Sequence, residues 1–475
     1  MRETTSLIQP TVNKLKAVAR LVPVLILVLL AGAILFYKER MLFIDAPHVL
    51  FRVVNDGRLH IEEHRIGSFI TQMFPLLLSK CGIPFRLLTV LYSASFYIFY
   101  CIVALLLVYK FRNYQLAVLF GLYLTLFVSD TFYWPNNEVH QGIAWLFLAF
   151  ALNSHFAAKS KPLAAGILIF VATFALAIWT HPLIMIVAVY LWAANWMHKD
   201  DWPYSRTQTV IFSLLLLTIA YLKFEQGNEH GYDATKIDLV TKTQLPGLSE
   251  IFQYPVIRYF FEGFMSNYWL FIPVFIGGLF FAIRQKNYVF SVFTVLYATG
   301  YLLLLGIVFK DVNTNRFYIE SEYMPLAIIC CTPFVFHLLP KLTIKTGSFL
   351  VALIFCIRIV FIFQAHHKFS DRVTILDGML NKMKEKNLSK IVIPEPVPFA
   401  DSALIMNWGA PVESIILSKL KGDVPQRTFL FADPNLLPIA MKAGSDTLIG
   451  CWEKWPKARI KENYFQPDWS VQYTT

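Results

Sequence analysis

The chain has 475 residues, of which 56% are hydrophobic and only 15% charged. A soluble domain carries about 25% charged residues and lacks recurrent uncharged apolar runs, so a soluble globular fold is excluded. The net charge of +11 does not point to nucleic acid, because the Lys and Arg gather at the ends of apolar runs instead of forming a stripe.

A membrane-spanning helix needs about 20 mostly apolar residues, since each rises 1.5 Å through a hydrocarbon core about 30 Å thick. Segments of that kind fall at 17–37, 85–109, 114–130, 140–157, 162–180, 182–197, 207–224, 268–284, 288–309, 321–339 and 347–365. The first follows Lys14, Lys16 and Arg20 and lacks a small-x-small cleavage site, which reads as a retained span and not a signal peptide. The expected fold is an α-helical polytopic membrane protein of about eleven transmembrane helices. The six cysteines (Cys81, Cys101, Cys330, Cys331, Cys356 and Cys451) show neither metal spacing nor a disulfide framework, so free thiols are expected.

Charge fixes an orientation. Lys110/Arg112, Lys159/Lys161, Lys199/Arg206, Arg284/Lys286 and Lys341/Lys345 fall in one set of connections, while 131–139 and 181 carry neither Lys nor Arg. By the positive-inside rule the N-terminus is cytoplasmic, and an odd number of spans puts the C-terminus outside. A multi-pass protein of a bacterial inner (cell) membrane is the expected location. Two long outer loops follow, at 38–84 and 225–267. Within the first, an apolar stretch near 66–80 is too short to span and reads as a helix lying in the interface.

After residue 365 the composition becomes that of a soluble domain. Helices are expected at 371–386 and 411–420, and strands at 390–393 and 428–431, giving a small α/β domain, 366–475, on the outer face. Residues 1–365 form the transmembrane domain.

Several outer-face residues carry chemistry. Asp45 lies just past the first span; a partly desolvated carboxylate there serves as a base or an electrostatic anchor, and the alternative is an Asp that ends a helix before Pro47. His48 and Arg65 belong to the same loop. The segment from Asp130 to His140 adds two carboxylates and an imidazole, with Glu138 and His140 the strongest candidates, against a reading of Tyr133 and Trp134 as interfacial belt residues. Asn315-Arg316-Phe317-Tyr318 sets a guanidinium at a span end, suited to bidentate phosphate binding or to simple anchoring. Lys242 and Arg258 are further outer cations, His181 sits between two spans, and Arg358 is an intramembrane charge suited to a lipid phosphate. No phosphate-binding loop, dinucleotide fingerprint, zincin motif or serine elbow is present, and no metal ligands are assigned.

Taken together, an inner N-terminus, Asp45 after the first span, an interfacial helix near 66–80, the Arg316-Phe317-Tyr318 stretch with Pro325, and an outer C-terminal domain resemble the GT-C superfamily of integral membrane glycosyltransferases. That group includes protein O-mannosyltransferases and lipid A aminoarabinose transferases. The acidic pair of many members is absent, since Asp45 stands alone with His48 three residues on. The resemblance implies transfer of a sugar from a polyprenyl-phosphate donor to a lipid, glycan or protein acceptor on the non-cytoplasmic face. In it Asp45 would act as general base and Glu138 or His140 would assist. His48, Arg65, His181, Arg258, Arg316 and Tyr318 would bind substrate, with at most a divalent metal ion as cofactor. The partners implied are the lipid-linked donor and membrane lipids, with no nucleic acid. An envelope polysaccharide polymerase or ligase shares the same donor. A transporter or flippase needs more polar residues deep in the spans, and a non-catalytic assembly protein would use the tail for docking.

Overall fold

A backbone in hydrocarbon has to satisfy every N–H and C=O within its own segment, so long apolar runs become helices. The computed structural model describes residues 13–157, 163–198, 206–229, 234–235, 238–239, 250, 252–309, 316–395, 406–450 and 453–475. In chain order the helices are α1 (Leu21–Leu35), α2 (Tyr37–Met41), α3 (Asp45–Asp56), α4 (Phe69–Lys80), α5 (Phe85–Leu105), α6 (Tyr114–Leu126), α7 (Glu138–Ala157), α8 (Leu163–Ile178), α9 (Leu183–Met197) and α10 (Arg206–Glu229). They continue as α11 (Pro255–Tyr268), α12 (Phe271–Arg284), α13 (Tyr288–Val308), α14 (Arg316–Pro333), α15 (Ile344–Gln364) and α16 (His366–Glu385).

The chain is a helical, multi-pass membrane protein. Each expected span coincides with a helix, but among the described residues six helices are long and apolar enough to cross, or seven when α11 and α12, bent by 92°, count as one. Three segments fall short because α6, α8 and α9 have only 13, 16 and 15 residues. In α7 polar side chains at both ends (Glu138, His140, Gln141, Asn153, Ser154 and His155) shorten the apolar stretch.

The connections collect at two ends of the bundle. At one end His198 Nε2 meets His337 Nε2 at 2.9 Å, Gln285 donates to the His337 carbonyl at 3.0 Å, and Lys14 reaches the Pro340 carbonyl. The other end gathers α2, α3, α4, the 130–137 turn, α11, the start of α14, and α16. The expected interfacial stretch is a 3-10 turn, Ile66–Ser68, followed by α4. It is pinned to α7 by Trp145 Nε1, which donates to the Gly67 carbonyl at 3.0 Å, and by Thr71, which donates to Gln141 at 3.1 Å. Of the second long loop, α10 already occupies the start and α11 the end; most of 230–251, Lys242 included, lies outside the described residues.

The tail follows its expected elements. α16 continues the line of α15 beyond the apolar stretch. Strand β1 (Lys390–Pro394) pairs in parallel with β2 (Thr428–Ala432), Lys390 opposite Thr428, with α17 (Ala410–Lys421) packed on β2. A short helix α18 (Leu436–Met441) leads to an antiparallel hairpin of β3 (Thr447–Ile449) and β4 (Lys454–Pro456). Part of the tail's core is continuous with that of the bundle: Phe51 of α3 packs on Trp455 and Phe465, with centroids 5.1 and 4.7 Å apart, and Phe465 also meets Phe85 of α5, while Val392, Leu430, Ile449 and Tyr473 belong to a separate tail cluster. The five described cysteines are free thiols, and Cys451 lies outside the described residues.

Candidate functional site

Asp45 does not end a helix. It is the first residue of α3, and Ile44 before it turns the chain with a positive φ of 44°. A β-branched residue adopts that conformation only when its surroundings enforce it. Here the enforcing group comes from the tail: Glu413 of α17 accepts the Ile44 N–H at 2.8 Å while Arg372 of α16 donates to both Glu413 oxygens at 2.8 to 3.1 Å. Gly409 permits this approach, since a Cβ there would lie 2.5 Å from Glu413 Oε1 and 3.1 Å from the Ile44 Cα. The direction of the Asp45 side chain is thus set by residues of the distant tail, Glu413 lying 369 positions from Ile44.

The Asp45 carboxylate is half-buried and accepts one hydrogen bond among the described residues, from Trp134 Nε1 to Oδ2 at 2.6 Å. Burial pushes its pKa up to about 7; the Trp134 bond and Arg65 act downward, and the charges of Glu138 and Glu62 act upward. Trp134 is in turn clamped edge-on by Phe317 (5.1 Å) and stacked on Tyr318 (6.0 Å) at the start of α14. The turn bearing Trp134 is held by Arg40 of α2, buried between spans, which donates to Ser93 Oγ at 2.9 Å and to the Phe132 carbonyl.

Beside Asp45, Arg65 Nη1 pairs with Glu138 Oε2 at 3.0 Å, and burial raises the Glu138 pKa. Asn136 Nδ2 donates to the Tyr92 hydroxyl at 3.1 Å, and that hydroxyl senses both Asp45 and Glu138. On the exposed side His48, on the same face of α3 one turn later, meets His60 and Glu62. Glu62 Oε1 lies 2.7 Å from His60 Nε2 and 3.8 Å from His48 Nε2. Burial pulls the His48 pKa down to about 4, and the His60 hydrogen bond pulls that of Glu62 down. These three donor atoms lie within 4.8 Å of one another, the one group of His, Cys, Asp and Glu among the described residues with the spacing to hold a metal ion. The pair His60 and Glu62 was visible in the sequence as a His-x-Glu run; its convergence with His48 was not, because it depends on the chain reversing after α3.

A second polar knot joins the start of α14 to the 129–131 turn. The buried Glu320 of α14 accepts the backbone N–H groups of Ser129, Asp130 and Thr131 at 2.9 to 3.1 Å, and also the Thr131 and Tyr268 hydroxyls. Arg316 Nε donates to Glu320 at 3.3 Å and to the Tyr268 hydroxyl at 3.1 Å, its side chain 31% exposed. Asp130, in a 3-10 turn past the end of α6, pairs with Lys368 of α16; burial, then Glu320, drive its pKa up against the pull of Lys368 and Arg316.

The sequence candidates therefore divide. Asp45, His48, Arg65, Glu138 and Tyr318 are brought together around Trp134. Arg316 stands at the adjoining Glu320 knot. His181 borders the group: its Nδ1 accepts the Leu183 N–H at 3.2 Å and caps α9, and its charge neighbours are Arg65 and Lys223. His140 is not part of the group. It sits inside the bundle between Tyr100 and Tyr123, with Nδ1 lacking a hydrogen-bond partner among the described residues, because about half a turn of α7 carries it past the loop end. Arg258 is exposed and pairs within its own helix with Glu262 at 2.9 Å. Arg358 is consumed by the carbonyls of Thr125, Val128 and Asn267 and by Ser129 Oγ, so it ties helix ends together in place of a lipid phosphate. Sequence reading missed Trp134 as the Asp45 partner, together with Glu320, Glu413 and Arg372. Three charged residues in otherwise apolar or amphipathic helices were the available signal. Comparison of the chain with family models, curated proteins and solved structures found no significant match to any of them.

Proposed function

We propose that the protein is a membrane glycosyltransferase that uses a polyprenyl-phosphate sugar, and that Asp45 is its general base. The observation that carries this reading is the Asp45 carboxylate itself: half-buried, held by a single donor, and tuned to about 7 at the mouth of a helix bundle. A base is most effective when its pKa lies near the working pH. In this reading the acceptor hydroxyl gives its proton to Asp45 Oδ1 or Oδ2 as its oxygen attacks the anomeric carbon. The bond to the donor phosphate breaks, and the configuration inverts.

The leaving phosphate needs a cation. Arg65, whose charge reaches Asp45 and whose guanidinium is shared with Glu138, is placed to receive it, with Arg316 as a second cation beyond Tyr318. Glu138 holds Arg65, and Tyr318 and Trp134 offer aromatic faces to a sugar. The isoprenoid tail would lie between helices, where its burial positions the reacting end. The Asp45 end is assigned to the non-cytoplasmic face because Lys110, Arg112, Arg284, Lys286, Lys341 and Lys345 mark the opposite end. Eleven crossings, three of them by short helices, keep that alternation intact.

The test is transfer in membranes supplied with a polyprenyl-phosphate sugar. Asp45→Asn lowers turnover by about 10²- to 10⁴-fold, the usual contribution of a general base, with unchanged membrane insertion. Turnover at the wild-type level would remove Asp45 from the reaction.

A further inference from the structure

We propose that His48, His60 and Glu62 form a binding site for a divalent transition-metal ion, with zinc the ion their chemistry fits best. Two imidazole nitrogens and one carboxylate oxygen are a zinc donor set, whereas magnesium and calcium take oxygen ligands throughout. Tetrahedral zinc with bonds of about 2.1 Å separates its ligand atoms by about 3.4 Å. The 2.7 and 3.8 Å separations to Glu62 Oε1 bracket that value, and all three donor atoms fall within 4.8 Å of one another. Three protein ligands leave one position open.

The donors are held in place from both directions. His48 is on the rigid α3 and its ring is 12% exposed, packed edge-on to Trp408 at 6.1 Å and to His60 at 5.4 Å. His60 lies in the segment after α3, and its backbone is clamped by Gln72 of α4: the His60 N–H donates to Gln72 Oε1 at 2.8 Å, and Gln72 Nε2 donates to the His60 carbonyl at 2.8 Å. Glu62 is followed by a turn closed by the Arg65 N–H on the Glu62 carbonyl at 2.8 Å, with Glu63 and His64 both at positive φ. Such a turn is fixed before any ion arrives, so binding needs little reorganisation. Glu62, 59% exposed, leaves the site open to solvent, an entry path for the ion.

The proposal stands independently of the transferase reading. Its test uses the full-length protein in detergent, purified through a tag without histidine and stripped with a chelator. Titration with zinc, and with cobalt as a spectroscopic stand-in, should show one equivalent bound, with the intense visible absorption of tetrahedral cobalt. His60→Ala and Glu62→Ala should each weaken binding by at least about 100-fold. Glu62 is exposed and His60 is held mainly through its backbone, so both variants should keep the wild-type elution profile. Asp45→Asn should still bind one equivalent, which separates this site from the proposed base. Wild-type protein that binds no zinc above the level of the two variants, or variants that bind as wild type does, would overturn the proposal and leave a His60–Glu62 hydrogen bond with His48 beside it.

Discussion

Asp45 and Glu320 are carboxylates at the same end of the bundle, and they are treated in opposite ways. Glu320 is fully buried and takes three backbone N–H groups, two hydroxyls and a guanidinium. Asp45 is half-buried and takes one indole N–H. A carboxylate whose lone pairs are filled acts as a fastener; here it ties the 129–131 turn to α14. One with a single donor beside two other carboxylates has capacity left for a proton. In the proposed reading the same residue class is structural at Glu320 and reactive at Asp45, and the number of donors decides which.

Three substitutions would break or sharpen that contrast. The largest effect belongs to Glu320→Ala. It strands the Ser129, Asp130 and Thr131 N–H groups and leaves Arg316 without its nearest anion. A loss of about 3–5 kcal/mol is expected, read as a drop in thermal stability in detergent or failure to accumulate in membranes. Next is Trp134→Phe, which removes the Asp45 donor found among the described residues. That bond favours the charged carboxylate, so its loss raises the Asp45 pKa by about one unit, from about 7 to about 8. At pH 7 the ionised fraction falls from about one half to about one tenth, turnover drops about fivefold, and the acidic limb of the rate profile moves to higher pH. An unmoved limb would show that Trp134 only packs. The smallest effect is that of Arg258→Ala, an exposed pair within one helix, with a change below about 0.5 kcal/mol in stability and none in turnover.

Much of the fold was legible in the chain. Apolar runs and their flanking charges marked each bundle helix, and period and turn residues placed β1, α17 and β2 in the tail to within a residue, while α16 starts five residues before its expected start. Crossing number was less legible, because α6, α8 and α9 are short and their role depends on neighbours. The site was legible as a set of residues on one face. Its wiring was not. Nothing local to Asp45 announces that Glu413 and Arg372 hold Ile44 in a left-handed turn. Arg358 looks like a functional intramembrane charge until its backbone partners are seen. His140 differs from Glu138 by two positions and so by about half a turn of rotation, which carried it into the bundle.

The central claim is that Asp45 is the proton acceptor at this end of the bundle, and it can be measured without knowing the sugar or the acceptor. Infrared difference spectra of chelator-treated wild-type protein, with Asp45→Asn as the subtraction standard, follow the carboxyl band through a pH titration. The account predicts a midpoint at about 7. A midpoint at the ordinary aspartate value of 3.8 would contradict it.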